Sequence, residues 1–305
     1  MRKTVVWCLT LVLLGCAAAP PVNEIQEEST ASGAAAEAGE AAAVEHKAEE
    51  AASASTAETD AAEDRPAKRE VLLPVAESRY RGDGTLEERI VFEYDSAGRL
   101  EAEVHTDAEG ELLATVVYTY QDERPLERRT LEPDGELRSY HAFEYAAGGL
   151  LSVDTLYNDQ QQPQTSSRYL YDEDGRRTRW EIYDGSGRLI VYTDYLYDAG
   201  KLSGIEIHGS DGELTDFSSA SHDEEGRKTE ESFYETPRKL VKTVEYVYVD
   251  GFLESEGIFN AEGRLLGKYL YQYDEHGSRV SSMFFDDQEN ITEIVEMTFD
   301  LVEVE

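Results

Sequence analysis

The chain has 305 residues and a formal net charge of −37, with 65 acidic against 28 basic side chains. Phosphate backbones and anionic lipid headgroups are recognised by basic faces, so this balance excludes nucleic acid and disfavours close headgroup contact. The only cysteines are Cys8 and Cys16, the first inside the leader described next and the second directly after it, which leaves no disulfide framework for a folded domain.

Arg2 and Lys3 precede an apolar run from Val5 to Leu14, which ends in the small residues Gly15, Cys16 and Ala17. A positive start, a short apolar stretch and small residues after it are the layout of a secretory signal. The run is too short to cross a bilayer as a helix. A signal peptide is therefore expected over residues 1–15. Leu13-Leu14-Gly15-Cys16 resembles the lipobox of bacterial lipoproteins. That resemblance implies a diacylglyceryl group on the Cys16 thiol, cleavage before it, and acylation of the new amino group. Each buried methylene contributes about 0.8 kcal/mol and one chain anchors only marginally, so several chains on Cys16 would make a lasting membrane anchor. Ala17 stands where an Asp would imply retention in the inner membrane, so the resemblance implies the outer membrane, facing periplasm or exterior.

Residues 16–70 read as a tether. From Ala17 to Glu70 there are thirteen acids, four bases and no aromatic residue. Too little apolar bulk is present to offset chain entropy, and a coil of this length spans roughly 40 Å. Residues 71–305 then carry a net charge of −30, which fits a solvated acidic surface.

From about residue 80 the chain repeats. Equivalent turn positions are 84, 110, 135, 161, 187, 212, 238, 263 and 289, spaced by 25 or 26 residues. Most are Gly; Gln161, Arg238 and Glu289 keep the register without it. Two residues on stands Leu86, Leu112, Leu137, Leu189, Leu214, Leu240 or Leu265, with Ile291 last. Eight and ten residues on stand aromatic pairs such as Phe92 and Tyr94, or Tyr118 and Tyr120; Ala220 and His222 break the pattern. Even offsets share one face of a strand, so the Leu and the aromatic pair are expected on one buried face. A second turn set at Gly98, Gly148, Gly175, Gly200, Gly226, Gly251 and Gly277 divides each unit into two strands. Short Gly-containing links favour antiparallel hairpins. The expected fold is all-β: a meander of about 17 strands over residues 71–305, twisted or spiralled as one sheet. Four-stranded propeller blades are the competitor, but blades need alternating unit patterns and these units are alike.

Tyr94-Asp95-Ser96-Ala97-Gly98-Arg99-Leu100 and Tyr183-Asp184-Gly185-Ser186-Gly187-Arg188-Leu189 show the wording of the units. It resembles the YD/Rhs repeat family, whose members build β-strand spirals and shells on bacterial surfaces and in toxins. The period here is longer than the family's, and the toxin function is not expected to carry over, because neither a variable C-terminal domain nor a self-cleavage motif is read in the sequence.

No motif for catalysis stands out. His105, His141, His208, His222 and His276 lie in separate units without zinc spacing, and there is no nucleophile elbow or phosphate loop. The acidic turn Asp172-Glu173-Asp174-Gly175 lacks calcium-loop spacing, and Asp and Gly serve tight turns anyway. No cofactor or metal is expected. Arg81-Gly82-Asp83 spells the tripeptide of integrin ligands in a turn, a short match that chance supplies. The sequence points to a non-enzymatic, lipid-anchored repeat domain that binds an envelope protein or glycan. The alternatives are a glycan-acting enzyme with a carboxylate pair, and an integral outer-membrane barrel. The barrel is opposed by charged positions such as Glu87 and Arg89 along the strands.

Overall fold

A computed structural model describes residues 69–236 and 238–304. The expected signal peptide, Cys16 and the tether as far as residue 68 lie outside the described residues. The described chain is all strand and turn. Before the repeats comes β1 (Arg69–Arg81). The first four units give β2 (Leu86–Tyr94), β3 (Leu100–Asp107), β4 (Leu112–Gln121), β5 (Arg124–Leu131), β6 (Leu137–Tyr145), β7 (Leu151–Asn158), β8 (Pro163–Tyr171) and β9 (Arg177–Asp184). The next four give β10 (Leu189–Asp198), β11 (Lys201–Gly209), β12 (Leu214–His222), β13 (Lys228–Glu235), β14 (Lys239–Val249), β15 (Phe252–Asn260), β16 (Leu265–Tyr273) and β17 (Arg279–Asp286). The ninth contributes β18 (Ile291–Val304).

The turns form for local reasons. At Asp95 the Gly98 amide donates to the Asp95 carbonyl at 2.9 Å. Asp95 Oδ1 accepts from the Ala97 and Arg99 amides, both at 2.9 Å. This is a tight turn with an Asp at its first position and a left-handed residue at its fourth. Asp107, Asp172, Asp184, Asp274 and Asp286 repeat it, and Asn260 substitutes its amide oxygen. All nine turn positions read from the sequence have positive φ, including Gln161 at 61°, Glu289 at 64° and Arg238 at 108°. The shortened link Ala199-Gly200 has positive φ at both residues, 50° and 83°, as a two-residue hairpin turn requires.

The strands make a single antiparallel meander, as the repeat implies. Two expectations are corrected. The sheet is not an open or spiral ribbon: β18 pairs with β1 and β1 with β2, so eighteen strands close into a barrel. The count is eighteen rather than seventeen because β1, which carries no repeat motif, is a strand, and it begins at Arg69 inside the stretch read as tether. The closing ladder is the longest in the molecule, running from Arg69↔Val304 to Arg81↔Glu293. Closure removes both edges at the chain ends, which is the complete answer to edge-to-edge growth.

The single-face expectation for the Leu and aromatic side chains is also corrected. Every pairing between consecutive strands has a register shift near a turn, whereas the closing β1–β18 ladder shifts in mid-strand between Pro74 and Ala76. Arg79 faces Glu88 but Tyr80 faces Leu86, and His105 faces Ala114 but Thr106 faces Leu112. Directly paired residues share a face. Each skipped residue therefore turns the Leu outward beside Tyr80, Thr106 or their equivalents, while the aromatic pair stays inside. The core lies on the inner face, where Ile90, Val116, Tyr118, Phe143, Tyr169 and Tyr271 are buried. Substantial packing joins ring neighbours only, as in other repeat architectures.

The shifts stagger the hairpins, so each ladder between units stops short. The β3–β4 ladder ends at Ala102↔Val117, and the Leu100 carbonyl beyond it meets the Tyr120 hydroxyl at 2.8 Å. The same hydroxyl donation runs from Tyr94 to Pro74, Tyr145 to Pro125, Tyr171 to Leu151, Tyr197 to Arg177 and Tyr273 to Leu253, at 2.6 to 3.0 Å and always twenty residues back. Arg99 binds Asp95 at 2.7 Å and lies over the Tyr120 ring, 4.9 Å from its centroid. Arg176 and Arg227 do the same between Asp172 and Tyr197, and between Asp223 and Tyr248. The Tyr-Asp-x-x-Gly-Arg wording is thus one rung: an Asp for the turn, an Arg over the next tyrosine, and a tyrosine to cap a carbonyl.

Tyr120→Phe keeps the ring and removes the donor. It is expected to destabilise the barrel by about 1–2 kcal/mol in urea unfolding, because the Leu100 carbonyl is left unpaired. Tyr197→Phe should add to it nearly independently; a neutral double variant would show that the hydroxyls contribute nothing. The turn carboxylates set an acid limit. The Ser186 hydroxyl and the Arg188 amide hold Asp184 at about 2, and the Asn290 side chain and amide lower Asp286. A lowered carboxylate stabilises above its ordinary value near 4 and loses that contribution as pH falls through the lowered one. Carbon-13 NMR of Asp side chains should therefore show Asp184 titrating well below a free aspartate.

Candidate functional site

In five units a charged side chain is placed on the inner face opposite the first aromatic or its replacement, whereas Tyr169, Tyr195 and Tyr271 face Trp180, Ile205 and Ser282. Glu103 pairs with Phe92, Arg128 with Tyr118, Asp154 with Phe143, Glu231 with Ala220 and Glu256 with Tyr246. Each buried acid is met by a neighbour. His141 Nδ1 lies 2.7 Å from Asp154 Oδ1, with 4% and 1% of the two side chains exposed. Tyr118 donates to Glu103 at 2.6 Å and Tyr271 to Glu256 at 2.9 Å. Burial raises the Tyr118 hydroxyl far above its ordinary value, with Glu103 adding to it.

The unit that breaks the repeat carries an equally buried acid. Ala220 replaces the first aromatic, and the space is taken by Glu231, only 2% exposed. Lys228 Nζ reaches Glu231 Oε2 at 3.0 Å and the Ser218 hydroxyl donates to Oε1 at 2.8 Å. Lys228 itself stands opposite His222, the second departure, and lies 5.0 Å from the Tyr246 ring centroid. The sequence marked the irregular unit but not the ion pair, because charged residues opposite the aromatics occur in other units as well.

The remaining positions singled out in the sequence are dispersed. In the Arg81-Gly82-Asp83 turn, Arg81 is bound to Glu87 at 2.6 Å and Asp83 accepts the Thr85 amide at 2.9 Å. The Gly82 amide donates to Thr292 at 3.0 Å, and a methyl on Gly82 would sit 1.6 Å from the Ile291 carbonyl. That glycine is fixed by close approach to β18, so packing explains the tripeptide. Asp172 accepts the Asp174 and Arg176 amides and the Arg176 guanidinium. No group of three or more His, Cys, Asp or Glu among the described residues is arranged to hold a metal ion. The outer wall has charges in mid-strand around its circumference, among them Arg89, Arg129, Arg168, Glu206, Glu245 and Lys268. Each pairs with residues of the face opposite the core. Between them lie stacked cross-strand rings, Tyr140–Tyr157, Tyr192–His208 and Phe217–Tyr234, each with centroids 4.7 Å apart.

No family model and no curated protein matches the chain. Solved structures do. A porin-like protein from Bacteroides uniformis matches at 12% identity and a TM-score of 0.43, over 74% of this chain and 98% of that one. A porin-like protein from Bacteroides vulgatus matches at 11% identity and a TM-score of 0.30, over 74% and 98%. The TcdB2-TccC3-Cdc42 structure matches at 11% identity and a TM-score of 0.28, over 71% of this chain but 15% of that one. Likenesses this distant decide nothing about function, and the barrel rests on the strand pairing itself.

Removing one member of the buried pair should be severe. Lys228→Met leaves Glu231 uncompensated and is expected to destabilise the fold by about 3–5 kcal/mol. The double variant Lys228→Met/Glu231→Leu should recover most of it, read as the midpoint of denaturant unfolding. Equal losses in single and double variants would mean that the pair is not coupled.

Proposed function

We propose that the protein is an exported, non-enzymatic lipoprotein, anchored through Cys16 and holding a closed YD-like barrel at the cell envelope, where its outer wall binds a protein or glycan. The observation that carries this reading is the outer wall. A lipid-facing barrel needs an apolar outer band, and each Arg or Lys at the bilayer midplane costs about 2–4 kcal/mol. Arg89, Arg129, Arg168 and Lys268 stand at mid-strand on that wall, so the wall suits water and the leader supplies the membrane attachment. Stacked rings beside charged groups are the composition of recognition surfaces. The glycan-acting enzyme requires an acid and a carboxylate free across a cleft. Glu103, Asp154, Glu231 and Glu256 instead accept hydrogen bonds or an ion pair from neighbours, which supports the binding reading. The lipobox position and the absence of Asp after Cys16 support an outer-membrane location.

Replacing Cys16 by Ala tests the anchor. The wild type should fractionate with membranes and partition into detergent, and Cys16→Ala should be released as a water-soluble, folded protein. A variant that stays in the membrane and folds only in detergent would favour an integral barrel. Capture of a defined envelope protein or glycan by the soluble variant would support the binding role, whereas hydrolysis of envelope glycan would replace it.

A further inference from the structure

Charged groups line the inner face beside the barrel closure. Burial lowers the Arg79 guanidinium of β1, but Glu77 and then Glu88 raise it above its ordinary value, with Glu293 of β18 adding least. Arg79 donates to Glu77 at 2.6 Å and lies 3.8 Å from Glu88 of β2. Glu88 Oε1 is 2.8 Å from His105 Nδ1 of β3, and His105 Nε2 is 3.3 Å from Glu103 Oε2 on the same strand. Glu103 Oε1 in turn accepts the Tyr118 hydroxyl of β4, and Arg128 of β5 acts on the same carboxylate. Asp107, which faces Glu88 across the ladder, is committed to the amides of Glu109 and Glu111. The β4 residue opposite His105 is Ala114, which carries no charge.

A neutral imidazole has one donor and one acceptor, whereas an imidazolium has two donors. A ring with a carboxylate oxygen on each nitrogen is satisfied on both sides only when protonated. The ring reaches β1 through Glu88, which lies 3.8 Å from Arg79 across a short ladder: β1 and β2 pair only from Ala76↔Val91 to Tyr80↔Leu86. We propose that the proton on His105 is a switch for the barrel closure, holding β1 and β2 to β3 and β4 while bound and loosening that wall when lost. Deprotonation would leave Glu88 and Glu103 sharing a neutral ring that can donate to only one of them.

The charge environment agrees with the geometry. His105 is raised above 6.5, most by Glu103, with burial opposing and Glu88 adding. Glu103 is lowered: burial opposes, but His105 and Tyr118 outweigh it. A raised histidine stabilises fully below its ordinary value and loses that contribution as pH rises through the raised one. A lowered carboxylate fails only on the acid side. The closure therefore loosens as pH rises through a value above 6.5.

The test uses the full chain in detergent with carbon-13 label in the histidine rings. His105 should titrate above the ordinary imidazole value of 6.5. Across the same interval, amide protection in β1 and β2, corrected for intrinsic exchange, should fall roughly tenfold while that of β8 and β9 holds. His105→Gln should show weaker protection with no step in that interval, and His105→Lys should keep protection to higher pH. If His105→Gln does not fold, the wild-type titration decides. A His105 that titrates at or below the ordinary imidazole value, a β1 protection indifferent to pH, or the same step in His105→Gln would overturn the proposal.

Discussion

A tyrosine hydroxyl donated to a carbonyl twenty residues earlier is the contact on which the barrel depends. Closing a sheet into a ring requires successive hairpins to be staggered. Stagger has a consequence for the backbone, because where one ladder ends early a carbonyl faces a neighbour strand with no amide to meet it. A buried carbonyl left unpaired costs about 1–3 kcal/mol, and in this ring the penalty would recur once per unit. The tyrosine solves it with a side chain long enough to cross the gap. The fixed distance of twenty residues, observed in six pairs from Tyr94–Pro74 to Tyr273–Leu253, shows that the same stagger is made each time. The arginine over the ring and the aspartate in the turn hold that tyrosine in place.

Much of this was legible in the sequence, and what was missed has physical causes. The turn positions were readable because a tight turn needs a left-handed residue, and even Gln161, Arg238 and Glu289 adopt one where Gly is absent. Strand type and order followed from period. The face of the Leu was misjudged because even spacing assumes an unbroken strand, and one skipped residue beside Leu86 or Leu112 reverses the face without altering the count. β1 was missed because nothing in Arg69–Arg81 repeats. Its partners are β18 and β2, so its sequence answers to the closure rather than to the unit. A ring built of like hairpins needs some such strand, since the last hairpin arrives with only one strand to spend.

The departures from the repeat are where charge is buried. Ala220 and His222 look like decay of the pattern along the chain. Their partners across the ladder are Glu231 and Lys228, and the missing rings make room for that pair and for the Ser218 hydroxyl. Replacing buried ion pairs by apolar groups is often neutral or stabilising, so this arrangement is not needed to hold the wall together. Lys228 and Glu231 lie on one strand, so what ties this group to β12 is the Ser218 hydroxyl, 2.8 Å from Glu231. The unit lacks the ring that sets position elsewhere, and the β11–β12 ladder beside it has only Glu206↔Phe217, Ile207↔Asp216 and His208↔Leu214. The Ser218 donation to buried Glu231 is the inner-face side-chain bond that links β12 to β13 in this unit.

Closure also explains how so acidic a chain can be so repetitive. Identical hairpins stacked in an open array present two free edges, and like sequences on those edges invite endless addition. A high net charge opposes association at long range but does not remove the edge. The long β1–β18 ladder does remove it, and it leaves the acidic surface free to serve solubility. The inner face then no longer has to be apolar throughout to resist addition of further strands. It can carry Glu103, Asp154 and Glu231, provided that each has a partner, and the ring holds in fixed order the neighbouring strands that bring Tyr118, His141 and Ser218 to them. The polar inner wall is thus a result of closure: it is tolerable because every strand has two permanent neighbours.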